Sequence, residues 1–206
     1  MSNIFSITTT HDPELENIYN KAMEELNQFF QMNWSVNRPK IFVVDSRATI
    51  DALKAQETPK WLVGWSTDRA IYILNKDSFA TDGDHNYSEN DYKMLIKHEL
   101  THTFFKVVTG GKTQPNWLWE GVSILASGQA DIWKKPLVFK SFLDSKDVYA
   151  EAGYALLLLS NKYGKGKLVQ LLKSYKSYQR EFSKLFQETY NTELNYVTFN
   201  KLMEDC

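Results

Sequence analysis

A single cysteine, Cys206, stands at the last position of the 206-residue chain. No intrachain disulfide can form, a usage that fits a reducing compartment. Nor is there an excess of charge of one sign: 24 Lys and Arg stand against 25 Asp and Glu, a formal net charge of -1. The basic footprint of a nucleic-acid binder is therefore missing. The lysines between Lys134 and Lys184 fall at helical spacing among apolar residues, as on a solvated helix face. Long apolar runs are absent too. The longest, Ala155 to Leu159, is far short of the ~20 residues that a membrane span needs. The start, MSNIFSITTTHDPELENIYN, has no basic region followed by an apolar one. No signal peptide is expected, and the cytoplasm is the expected location, although an unconventional export route would leave no trace in such a sequence. Internal repeats and low-complexity tracts are also lacking.

What is present is an ordinary globular composition, 43% hydrophobic and 24% charged, with six Trp, eleven Tyr and twelve Phe to fill a core. Pro13 follows Asp12, a good helix cap, and Leu15, Ile18, Tyr19, Ala22, Met23, Leu26, Phe29 and Phe30 then recur at helical spacing. Lys40 to Val44 has the pattern of a strand, and Arg47 to Gln56 that of a short helix. Trp61 to Ser66 and Arg69 to Asn75 read as two strands joined at Thr67-Asp68. The polar stretch Thr81 to Asn86 reads as a loop. From Ser88 onward the pattern is helical: about 88–108, 115–127, 147–163, 167–175, 180–190 and 196–205. The expected class is α+β, a small mixed β-sheet followed by a mainly helical lobe. It forms one domain over 1–206, with an N-terminal helical segment to about 40, the sheet and its following helix over 41–108, and the helical lobe over 109–206.

The chemistry is concentrated in His98-Glu99-Leu100-Thr101-His102, an H-E-x-x-H pattern within the first long helix. Residues i and i+4 project from one face about a turn apart. Two imidazoles so placed can ligate one metal ion, while the glutamate beside the first can reach a metal-activated water without being a ligand. Zinc would acidify that water and polarise a carbonyl, with Glu99 as general base. The bland alternative is a partly buried helix whose histidines only hydrogen-bond. Leu95, Ile96, Phe104 and Phe105 weigh against it, because polar groups buried among them need a partner.

A catalytic zinc needs a third protein ligand and one open position. The extended motif that continues to a third histidine is excluded, since Phe105 stands where its glycine belongs and Val108 where its histidine belongs. His11 and His85 read as surface residues. The candidate is Glu120, on the next predicted helix in Asn116-Trp117-Leu118-Trp119-Glu120-Gly121, close enough along the chain for the second helix to pack back on the first. The expected complement is one Zn2+ per chain, held by His98, His102 and Glu120.

His-Glu-Leu-Thr-His followed by Trp-Leu-Trp-Glu-Gly-Val-Ser-Ile-Leu-Ala resembles the gluzincin peptidases, which include thermolysin and the alanyl-aminopeptidase group, and is most similar to their minimal relatives. The resemblance extends through Tyr149 to Leu157 and Lys162-Tyr163-Gly164, over roughly residues 60 to 200. It implies a zincin-like fold, a peptide or protein substrate, and a tyrosine or histidine downstream of the third ligand that stabilises the oxyanion. No histidine follows His102. Tyr149 and Tyr154 are the tyrosines in that stretch, about 140° apart on a helix. Tyr154 precedes an apolar run and reads as core, so Tyr149 is the expected donor, with plain packing as its alternative. The aminopeptidase segment whose glutamate holds a free amine is absent from Gly64-Trp65-Ser66-Thr67-Asp68-Arg69-Ala70, which favours internal cleavage. The strand Arg69 to Leu74 is the expected sheet edge for an extended peptide, a plain structural strand being the alternative. A catalytically weak zincin-like binding or regulatory module, and a zinc hydrolase of another amide or ester, remain the competing readings. The sequence sets no oligomeric state.

Overall fold

The computed structural model describes residues 4–83 and 88–205. Helix α1 (Pro13–Phe30) begins where the Asp12 carboxylate accepts the Leu15 amide, and it buries Ile18, Ala22, Met23, Leu26 and Phe30. Strand β1 (Lys40–Val44) is followed by α2 (Arg47–Lys54), capped by Ser46. A hairpin of β2 (Gly64–Ser66) and β3 (Ala70–Leu74) turns at Thr67-Asp68, where the Thr67 amide donates to the Ala70 carbonyl.

The three strands lie in the order β1-β3-β2. β1 is parallel to β3, with Phe42 opposite Tyr72, and β2 is antiparallel to it, with Trp65 opposite Tyr72. The expectation that Arg69 to Leu74 forms the edge is therefore corrected. β3 is central, and β1 and β2 are the two edges. The physical reason is legible in the strand itself: Ile71, Ile73 and Leu74 are all fully buried, so the strand carries apolar side chains on both faces, as a central strand does.

A second correction concerns the stretch expected as a loop from Thr81. Helix α3 (Lys76–Asp82) includes Thr81 and Asp82, with the Asn75 side chain accepting from the Ser78 amide at 2.7 Å. Its only buried residue is Phe79, so it carries almost no apolar period to announce it. The remainder of that expected loop, 84–86, lies outside the described residues, as does His85.

Helix α4 (Glu89–Thr109) begins where Ser88 accepts the Asp91 amide and ends at Gly110 in the left-handed conformation (φ 68°). It is buried nearly all round. One side faces β2 and β3, another faces α1, where Phe104 stacks on Phe30 with ring centroids 5.5 Å apart, and a third faces α5 (Asn116–Ser127). The short α6 (Gln129–Ile132) and a 3₁₀ turn at Phe142–Asp144 lead to α7 (Val148–Tyr163), and α8 (Lys165–Tyr175), α9 (Phe182–Tyr190) and α10 (Tyr196–Glu204) complete the chain. The class is mixed α+β, a small sheet with a larger helical part. No helix among the described residues is long and apolar enough to cross a membrane.

Helices α5 and α7 form the tightest helix pair. A methyl group on Gly121 would lie 3.0 Å from the Ala152 carbonyl oxygen, and one on Gly153 would fall inside the Ile124 side chain. The start of α7 is further fixed by buried Glu151. Its carboxylate accepts the backbone amides of Lys140, Ser141 and Phe142 at 3.1–3.2 Å and the Ser141 hydroxyl at 2.8 Å. Gly153→Ala is expected to force the two helices apart, destabilising the fold by ~1–3 kcal/mol as overpacked cores are. Urea unfolding of the variant against the parent checks this.

Candidate metal centre

His98 and His102 stand one turn apart on the buried face of α4, 6% and 5% exposed, with their ring centroids 4.8 Å apart. Helix α5 brings Glu120, 8% exposed, against both. Its Oε2 lies 3.3 Å from His98 Nε2 and 3.6 Å from His102 Nε2. The two Trp residues of the same helix divide the packing: Trp117 is core, and Trp119 stacks on the His102 ring at 4.2 Å and 9°.

The far sides of the imidazoles determine what these three atoms are. Ser123, one turn after Glu120, donates its hydroxyl proton to the Trp119 carbonyl at 3.1 Å. Its oxygen therefore accepts from His102 Nδ1, at 2.9 Å. His98 Nδ1 donates to Gln129 Oε1 at 2.8 Å. With the protons on both Nδ1 atoms, each Nε2 presents a lone pair. Two lone pairs and a carboxylate oxygen thus converge in a buried site, and Glu120 Oε2 has no hydrogen-bond partner of its own. Such an arrangement needs a cation. The ligand-to-ligand edge of a tetrahedron with N and O bonds of ~2.0–2.2 Å is ~3.4 Å, close to both separations seen here. The residues present fit a metal ion.

Without a metal, the site has one other positive charge to draw on, a proton. Burial pushes the His98 pKa down, but the Glu120 carboxylate 3.3 Å from its Nε2 and the charge of Glu99 outweigh it and leave the value raised. His102 is held well below its ordinary value by burial and by the neighbouring charges of His98 and Lys106.

Glu99 offers a second carboxylate, in a group with His98 and His102 whose ligand atoms lie within 4.8 Å of one another. It is buried, and its pKa is raised to about 7, first by burial and then by the Glu120 charge, against the pull of His98 and Lys54. Gly64 on the edge strand leaves room for it: a Cβ there would sit 3.3 Å from Glu99 Cγ.

The phenol of Tyr149, the second residue of α7, reaches the same place. Burial, the charges of Glu120 and Glu99 and a hydrogen bond to Glu120 hold its pKa well above the ordinary phenol value. The residue remains 48% exposed, and its ring lies 6.4 Å from that of Trp61, which is 52% exposed and belongs to the segment leading into β2. Tyr154 points elsewhere, stacked against Phe139 and covered by Lys135. The structure thus brings His98, Glu99, His102, Glu120 and Tyr149 together and leaves Tyr154 out. His11 is exposed beside Glu16 and takes no part.

Ser123 and Gln129 were not foreseen from the sequence. Ser123 could have been found from its place three residues after Glu120 on one helix face. Gln129, beyond the break at Gly128, carried no such signal.

His102→Ala is expected to abolish tight metal binding, read by elemental analysis after dialysis. Ser123→Ala should keep the metal but weaken its affinity by ~10–100-fold, the usual effect of removing a partner that orients a ligating histidine. Competition against a chelator measures it. Neither a family model, nor a curated protein, nor a solved structure matches this chain.

Proposed function

We propose that the protein is a zinc-dependent peptidase that hydrolyses internal peptide bonds. The observation that carries the reading is the orphaned Glu120 Oε2 facing two histidine lone pairs at tetrahedral spacing, with a second buried carboxylate, Glu99, beside them. A module that only bound a metal would have no use for that second buried carboxylate.

His98, His102 and Glu120 would hold the ion, leaving one position open. When bound, zinc acidifies a water and polarises the substrate carbonyl. Glu99 takes the proton of the attacking water. As the new carbon–oxygen bond forms and the carbon–nitrogen bond breaks, it delivers that proton to the departing amine. A buried carboxylate beside the ligating histidines is placed for both halves of this task. Tyr149 stays protonated because its surroundings raise its pKa, so its hydroxyl can donate to the carbonyl oxygen as negative charge develops there. The tight packing of Trp119 and of the α5–α7 pair excludes bulk water from the ligand side.

Internal cleavage is favoured because the edge strand Gly64-Trp65-Ser66 bears no acidic group to hold a free amino terminus. An extended peptide can add to the outer edge of β2, which pairs with no strand among the described residues, passing Glu99 at Gly64.

Glu99→Gln is expected to retain zinc while hydrolysis falls by ~100-fold or more, measured as turnover on a peptide substrate with metal content in parallel. A wild-type protein that cleaves nothing in a broad peptide library when loaded with zinc would overturn the reading. Tyr149→Phe should lower the turnover number by ~100-fold, as for removal of a single oxyanion donor, with little change in zinc content or melting temperature. Tyr154→Phe should leave turnover at the parent level.

A further inference from the structure

The edge strand is stiffened from one side. The rings of Trp65, Tyr72 and Phe42 are stacked across the three strands, Trp65 on Tyr72 at 4.7 Å and 1°, and Tyr72 on Phe42 at 4.9 Å and 16°. Successive residues of a strand face opposite sides of the sheet. Gly64 faces α4 and Glu99, so Trp65 and the ring stack lie on the other side. Above Trp65 sits Lys54, the last residue of α2, its ammonium 4.5 Å from the ring centroid. Ile50, one turn earlier, is fully buried.

Lys54 forms no ion pair within 4.0 Å and no side-chain hydrogen bond among the described residues, whereas Lys76, Lys93, Lys97, Lys106 and Lys162 all pair with carboxylates. Burial lowers its pKa, and the charge of Glu99 partly offsets that effect. A partly desolvated cation is thus held over the free sheet edge, one residue along from the point where that edge meets Glu99. Its ammonium is held over the flat ring beneath it.

We propose that Lys54 is a specificity-determining residue that binds a substrate carboxylate. The inference rests on the peptidase reading and deepens it by naming the substrate class, acidic peptides. If a peptide adds as a strand to β2, the residue opposite Gly64 directs its side chain to the α4 face, beside Glu99. The residue opposite Trp65 directs its side chain to the other face, where Lys54 waits. The preferred substrate carries a carboxylate there, one position from the residue that lies against Glu99. Aspartate or glutamate side chains provide it, and so does a chain terminus at that position.

The test uses peptides with blocked termini in pairs that differ only by Glu or Gln, and a second set with free or amidated carboxyl ends. Binding is measured by fluorescence anisotropy to the zinc-loaded Glu99→Gln variant, and kcat/KM is measured on the wild type. The Glu peptides, or the free-ended ones if the terminus is the source, should be preferred about tenfold, and less so at high salt, where the charge is screened. Lys54→Met, which keeps the aliphatic stem on Trp65, should lose that preference while zinc content is retained. Lys54→Glu should invert it toward Lys-bearing peptides. A preference that survives in Lys54→Met, or equal binding of each pair to the parent, overturns the assignment. Hydrolysis without charge preference would sink Lys54 and leave the peptidase reading standing. Binding preference with no hydrolysis would do the reverse, and failure of every peptide to bind would remove both.

Discussion

Three hydrogen-bond acceptors aimed at one another inside an apolar core form the constraint on which the structure turns. His98 Nε2, His102 Nε2 and Glu120 Oε2 meet at 3.3 and 3.6 Å in surroundings that give burial no electrostatic return. Every neighbouring feature acts to keep them there. Ser123 and Gln129 occupy the opposite nitrogens and so fix which ring atom is bare. Trp119 covers one ring. The glycines between α5 and α7 bring the Glu120 helix to the distance that the site requires. Without a metal ion, a proton on His98 is what relieves the cluster, and the Glu120 and Glu99 carboxylates raise its pKa accordingly.

Much of this was written locally. The H-E-x-x-H spacing, the Asp12 and Ser88 caps and the hairpin at Thr67-Asp68 follow from neighbours a few residues apart, and short-range physics determines them. Glu120 could be singled out because a carboxylate between Trp119 and Gly121 in an apolar helix needs a reason to be buried. Other features were illegible because they depend on distant packing. β3 became central only through its parallel pairing with β1, thirty residues upstream. Helix α3 is held by a cap and one buried phenylalanine rather than by an apolar stripe. Gln129 reaches His98 across a helix break, so no periodicity connects them. The choice between Tyr149 and Tyr154 depended on a helix start, and that start is set by the Glu151 carboxylate gripping three loop amides.

The two faces of the sheet share the work unequally. The α4 face holds Glu99 against Gly64 and leaves no space for a side chain on the edge strand. The opposite face holds a ladder of aromatic rings capped by a lysine. The three residues of β2 therefore separate an acidic, buried compartment from a cationic, half-open one.

The close approach of α5 and α7 has a mechanical consequence. Glu120 and Tyr149 are far apart in the chain, yet they ride on helices that meet closely at Gly121 and Gly153. Densely packed elements of this kind move as one block. The ligand and the phenol therefore form a single stiff jaw. The opposing jaw is the sheet edge with the segment before it, and the two touch at their rims through the half-exposed rings of Trp61 and Tyr149. The seam between the jaws is thus made of two aromatic rings, apart from the buried hydrogen bonds that orient the histidines.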